Sequence, residues 1–205
     1  MVIEEFKYFF PERPRLMSIK QPLFETLDAD PDWFAELKYN GCRLELHYNP
    51  GEGWQFWNRH GEKMSYTPNA EVKEQLRLLE KQIDGYCIFD GELRHNKVPG
   101  VQHKIMLYDV FCFNGNLLLG HNHFQRRAIL DVMYEHEHEI NADILALTER
   151  WQTGFKALFD EQTKYHEIEG LVIKNQNGIL DLGRKNPVPS VWMWKVRRPS
   201  NSYRL

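Results

Sequence analysis

Lys38-Tyr39-Asn40-Gly41-Cys42-Arg43 sets a lysine just before a glycine turn. Four charged motifs follow in order: Asn58-Arg59-His60-Gly61, Asp90-Gly91-Glu92-Leu93, Glu169-Gly170-Leu171-Val172-Ile173-Lys174 and Trp194-Lys195-Val196-Arg197. A lysine is a poor nucleophile while it is an ammonium, so one that attacks needs neighbours that destabilise its charge. Lys174, Lys195 and Arg197 are the cations suited to that task, and they would also stabilise charge developing on a phosphate under attack. Glu92 and Glu169 are hard oxygen ligands of the kind Mg²⁺ takes, one or two at a time, beside substrate phosphates. The chemistry these types support together is transfer of a phosphate-bearing group to Lys38 with Mg²⁺.

The positions of these residues rest on strands. Alternation puts Arg43, Glu45 and His47 on one face of a strand and Leu44, Leu46 and Tyr48 on the other. Asn49-Pro50-Gly51 turns the chain into a return strand from Trp54 to Gly61, so Lys38 is expected just before a β-hairpin. On an extended backbone Glu36 and Lys38 share a face, as do Asp90 and Glu92, and Lys195 and Arg197. Glu169 and Lys174 are five apart and diverge on a straight strand; both reach one ligand only if the chain bends at Gly170 or at the strand end. Residues 1–30, punctuated by prolines, read as an irregular lead-in with short extended pieces. Thr67-Pro68 marks the start of a helix carrying Val72, Leu76, Leu79 and Ile83. Strands over 86–94 and 104–113, a helix over 124–133, a helix with Trp151, Phe155, Leu158 and Phe159 on one stripe, and strands over 169–174 and 191–197 complete an α+β chain of antiparallel sheets with flanking helices.

With 205 residues and 42% apolar content, the chain is expected to form one domain spanning 1–205. The three cysteines have neither the spacing of a zinc site nor the pairing of a disulfide framework, which points to a reducing cytoplasmic or nuclear compartment. No apolar run suits a membrane span. His136 and His138, with His121 and His123, read as part of a solvated loop after the helix over 124–133 rather than as metal ligands. All 29 acids lie upstream of Leu182 with 20 of the 26 Lys and Arg, leaving −9 there against +6 in the basic segment 182–205. That segment suits phosphate binding.

The ordered motifs resemble the KxDG, SRxG, DGE, EGLxxK and KxK motifs of the covalent nucleotidyltransferases, the superfamily of ATP-dependent DNA and RNA ligases and mRNA capping enzymes. Leu107-Tyr108-Asp109-Val110-Phe111 is similar to that superfamily's adenine-stacking strand, and the ligase branch fits best because of NRHG and YDVF. The resemblance implies an ATP-grasp-like nucleotidyltransferase domain without an OB-fold domain, in which Lys38 is adenylated from ATP with Mg²⁺. It further implies that Glu36 reads the adenine edge, Tyr108 stacks on the ring, Arg43 and Glu92 hold the ribose, and Glu92 and Glu169 face the metal. Lys174 and Lys195 would grip the α-phosphate, Arg197 would complete the cationic cradle, and Arg59 would meet a nucleic-acid 5′-phosphate. Arg184, Lys185 and Arg198 would track the nucleic-acid backbone. The implied partner is nicked nucleic acid, with duplex DNA expected ahead of RNA, and a monomer is expected. Ligases of this family continue into an OB-fold domain, expected here to have been removed or to be supplied by another protein. Two other activities share the motifs, an RNA ligase and an RNA guanylyltransferase. Asn40, where the family has Asp, and Arg197, in place of a lysine, raise a third reading, a nucleotide- or nick-binding module with impaired catalysis.

Overall fold

The structure is a computed structural model describing residues 8–181 and 189–199. The chain runs β1 (Arg13–Leu16), α1 (Pro22–Ala29), β2 (Trp33–Tyr39), β3 (Cys42–Asn49), β4 (Gly53–Asn58), α2 (Ala70–Glu80), β5 (Cys87–Arg94), β6 (Lys104–Phe113), β7 (Asn116–Leu117), α3 (His123–His136), β8 (Leu145–Leu147), α4 (Phe155–Gln162), β9 (Ile168–Asn175) and β10 (Pro189–Arg197). Two sheets result. One has the order β4-β3-β5-β6-β7 with β8 also on β6, the other β1-β10-β9-β2.

The alternation in β3 sorts its side chains as expected. Leu44 and Leu46 are fully buried and pack with Val72, Leu76 and Leu79 of α2 and Leu130 and Met133 of α3. The opposite face carries Arg43, Glu45 and His47, and the chain just before β1 lies over it: Tyr8 stacks on His47 at 6.4 Å and the Phe9 N–H donates to Glu45. A separate core lies under the four-stranded sheet, where Phe24 and Leu27 of α1 and Phe155 and Phe159 of α4 meet Ala35, Leu171, Ile173 and Val196.

The α+β architecture with mainly antiparallel sheets is as expected; the parallel pairs are β1 with β10 and β8 with β6. Several local expectations change. The lead-in holds a strand and a helix, α1, with Pro22 in its first turn, where the missing N–H costs no helical bond. Helix α2 starts later than Thr67, because Asn69 caps it by accepting from the Val72 N–H. Trp151 lies outside α4 and bridges to Ala35 of β2, while α4 starts after Gly154, whose φ is 78°. His136 belongs to the last turn of α3, where its Nδ1 meets the Val132 carbonyl. Lys38 lies just ahead of the β3–β4 hairpin, as expected, and is itself part of β2 in the other sheet; Asn40-Gly41 carry the chain from one sheet to the other.

Candidate active site

A cleft of about 560 Å³ lies between the two sheets. The four-stranded sheet supplies Glu36, Lys38, Glu169, Val172, Lys174, Lys195 and Arg197, and the other supplies Arg43, Asp90, Glu92 and Tyr108. Lys38 pairs with Gly170 across β2 and β9, and Tyr39 pairs with Ile168, so Glu169 is the extra residue of a β-bulge. The bulge is the bend that the sequence required. It shifts parity by one residue, so that Glu169 faces the cleft with Val172 and Lys174, and its carboxylate meets the Lys38 ammonium at 2.7 Å. Gly170 has φ 155°, and a Cβ there would lie 1.9 Å from the Val196 carbonyl oxygen. Only glycine fits.

The chemistry is graded along the cleft. At one end Lys38, Glu169 and Arg197 form a row, with the Arg197 Nε 3.6 Å from the same Glu169 oxygen. Lys195 lies one row inward, opposite Val172. Burial first, then the charges of Arg197, Lys38 and Arg13, lower its pKa. Such a crowd of cations favours an incoming anion. At the other end Lys174 and Glu36, both buried, pair at 2.6 Å, and the Lys174 ammonium lies 4.8 Å from the Tyr108 ring centroid. Lys174 pairs with Phe34, four residues along β2 from Lys38, or about 13 Å at strand rise. Its ammonium is held beside Glu36 at this end of the cleft.

The facing sheet closes the cleft. Arg43 makes a two-pronged ion pair with buried Asp90, its Nε donating to Oδ1 at 2.9 Å and its second nitrogen to Oδ2. The Tyr108 hydroxyl donates to the Gly91 carbonyl at 2.9 Å, which fixes the ring in the cleft wall. Gly41 lets the crossover press onto β5, since a Cβ would come within 2.7 Å of the Glu92 Cγ. Burial pushes the Glu92 carboxyl up to about 7 against the pull of Lys38 and Arg43, with the charges of Glu169 and Asp90 adding to the rise. Glu92 and Glu169 thus share one region with hard oxygen donors suited to Mg²⁺. Among the described residues no group of three or more His, Cys, Asp or Glu could hold a metal, so an ion there would complete its shell with oxygens of water or of a ligand.

Arg59 is at the cleft wall on the Asn58–Gly61 turn, which the Asn58 side chain holds by accepting from the His60 and Glu62 N–H groups. Arg198 donates to the carbonyls of Thr163, Tyr165 and His166. Those contacts tie its guanidinium to the turn after α4. Arg184 and Lys185 lie outside the described residues.

The family model described as ATP dependent DNA ligase domain matches residues 94–195. A structure of mycobacterial DNA ligase D complexed with ATP and MES superimposes with a TM-score of 0.66, at 20% identity over 94% of this chain and 62% of that one. This is the fold of the nucleotidyltransferase domain of ATP-dependent DNA ligases. The ligase domain from M. tuberculosis LigD gives a TM-score of 0.64 at 20% identity, covering 94% of this chain and 61% of that one. The ATP-dependent DNA ligase from bacteriophage T7, in complex with ATP, gives 0.60 at 16% identity, covering 92% and 68%. The chain spans about three fifths of the mycobacterial ligase structures. No curated protein matches it. Among the described residues no helix of this chain is long and apolar enough to cross a membrane.

The sequence reading passed over residues that also line the cleft of this domain, among them Arg13, Lys97, Trp192 and Met193. Parity with Lys195 and Arg197 was a sufficient signal for Met193. Arg13 had none, because it reaches the cleft through the pairing of β1 with β10.

Proposed function

We propose that this domain is the adenylating module of an ATP-dependent polynucleotide ligase acting on nicked DNA. The observation that carries the reading is one cleft with a paired base-reading end, Glu36 and Lys174 beside Tyr108, and a cationic end where Lys38 meets Lys195 and Arg197. The adenine would sit on Tyr108 with its edge toward Glu36, whose Oε1 is buried without a hydrogen-bond partner. Arg43, held by Asp90, and Glu92 would face the ribose. Lys195 and Arg197 would hold the α-phosphate.

An ammonium bound to a carboxylate has no lone pair, so Lys38 must leave Glu169 and lose a proton to solvent before it attacks. Its Nζ then forms the N–P bond to the α-phosphorus. The bond from that phosphorus to the bridging oxygen breaks, pyrophosphate departs with the electron pair, and a second proton leaves the nitrogen. Mg²⁺, held by Glu92, Glu169 and phosphate oxygens, would neutralise phosphate charge when bound. Binding of a cation at Glu169 would also compete with the ion pair that occupies Lys38. The AMP would then pass from Lys38 to a nucleic-acid 5′-phosphate placed at Arg59, ready for attack by a 3′-hydroxyl.

The test is the intact mass of the protein after incubation with Mg²⁺ and ATP, GTP or NAD⁺ in parallel, with Lys38→Ala alongside. A gain of one AMP from ATP, absent in the variant, is expected. A GMP adduct instead would identify a guanylyltransferase, and no adduct in protein free of prebound AMP would leave a nucleotide-binding module.

A further inference from the structure

The groups of the proposed reaction come from different sheets. Arg43, Glu92 and Tyr108, which would face the ribose and the base, belong to the six-stranded sheet, and Lys38, Lys195 and Arg197 to the four-stranded one. Attack needs the nitrogen close to phosphorus and roughly in line with the leaving oxygen, so the spacing of the sheets at the Lys38 end has to be held closely. Arg94, the last residue of β5, is buried and reaches across this gap. Its guanidinium carbon lies 4.7 Å from the Tyr39 ring centroid, and one terminal nitrogen forms an ion pair with Glu167. Tyr39 directly follows Lys38, and Glu167 lies two residues before Glu169. The Glu167 carbonyl also accepts from the Asn40 N–H at 2.8 Å. One side chain of the six-stranded sheet thus ties down both chain segments that carry the 2.7 Å pair of Lys38 with Glu169. Burial pushes the Tyr39 hydroxyl up to about 12 although Arg94 pulls it down. Tyr39 therefore meets the cation as a neutral ring.

We propose that Arg94 is a positioning residue for adenylation, holding Lys38 at the distance from the α-phosphorus that attack needs. Arg94 is not a lining residue of the cleft and acts through Tyr39 and Glu167. Its effect on rate rests on the adenylation reading, while the tie itself is a property of the chain without ligand.

Arg94→Met keeps an apolar stem and removes the cation. Formation of the AMP adduct is followed by intact mass in single turnovers with Mg²⁺ at several ATP concentrations, which separates the maximal rate from the half-saturating concentration. The maximal rate is expected to fall about 30-fold and the half-saturating concentration to change less than about threefold. Arg94→Lys, which keeps the charge, should recover part of the rate. Tyr39→Leu should slow the step as well, with little further loss when combined with Arg94→Met. Melting curves establish that each variant is folded. If Arg94→Met is not, Glu167→Ala, at a half-exposed carboxylate, carries the test with adduct formation about fivefold slower. An unchanged maximal rate in a folded variant, equal losses in rate and affinity, or full additivity with Tyr39→Leu overturns the proposal. If the parent chain forms no adduct, adenylation fails, and the tie is judged alone from the ¹⁵N-edited signal of the Lys38 ammonium, assigned with Lys38→Arg. Displacement of that signal in Arg94→Met and its return in Arg94→Lys sustain the tie; an unmoved signal overturns it.

Discussion

Gly170→Ala tests the bulge that aims Glu169 into the cleft. At φ 155° the added Cβ would stand 1.9 Å from the Val196 carbonyl oxygen and 2.9 Å from the Arg197 Cα, both main-chain atoms of the neighbouring strand. Ordinary contact begins near 3.4 Å, so β9 and β10 would have to part by about 1.5 Å at this point, which no side-chain rotation relieves. Strain at a glycine-only conformation, overpacking and weakened ladder bonds each cost about 1–3 kcal/mol and partly overlap, which gives a net loss of about 4 kcal/mol. For a chain of this size that lowers the melting temperature by about 10 °C. If the strands instead expelled the bulge, Glu169 would turn to the other face and Lys38 would lose its 2.7 Å partner. Thermal and urea unfolding measure the loss, and a ¹⁵N-edited NMR comparison of the Lys38 ammonium region separates the two responses. A variant melting within about 2 °C of the parent, with the Lys38 environment unchanged, would refute the steric argument.

Glu92 gives a pH dependence of known sign. Burial raises its folded-state pKa to about 7, so between its ordinary value and about 7 the unfolded chain gives up a proton that the folded chain keeps. Stability must therefore fall as pH rises through that window, by about 2 kcal/mol allowing for solvent screening, and Glu92→Gln should flatten the slope. Parallel slopes in the two proteins, from urea titrations at several pH values, would contradict this. The Arg126–Asp109 pair is buried and two-pronged, with both bonds at 2.8 Å. Burial alone would raise Asp109, but Arg126 overcomes it and holds the carboxyl at about 2. Arg126→Ala should cost about 4 kcal/mol by urea unfolding near neutral pH. Asp109→Asn should recover part of that loss, and an uncorrelated double variant would count against the pair.

The site was more legible than the scaffold. Lys38, Glu169, Lys195 and Arg197 could be gathered from motif order and strand parity, and even the need for a bend at Gly170 followed from counting faces. The gradation within the site was not visible, because Lys174 and Arg198 find their partners, Glu36 and the carbonyls after α4, only through tertiary packing. The same limit hid β1. Arg13–Leu16 is a strand because β10 lies beside it, and four residues have little periodicity of their own. Trp151 matched the apolar spacing of α4, but Gly154 sets the helix start beyond it and the indole-bearing segment pairs with β2 instead.

Each sheet packs on its own core, and the main element contacts run within each half rather than between them. The cleft is therefore a seam. A molecule bound across it acts as a splint, joining two layers that already meet through the Asn40-Gly41 crossover, the segment from β8 to α4 and links such as Phe34 to His123, Arg127 to Glu36 and Arg94 to Glu167. Occupancy at a hundred times the dissociation constant adds about 2.7 kcal/mol against global unfolding. The same splint resists partial opening, in which one half parts from the other while both stay folded. Amide exchange should consequently slow on both sides of the seam together when it is filled, including at amides far from any ligand atom.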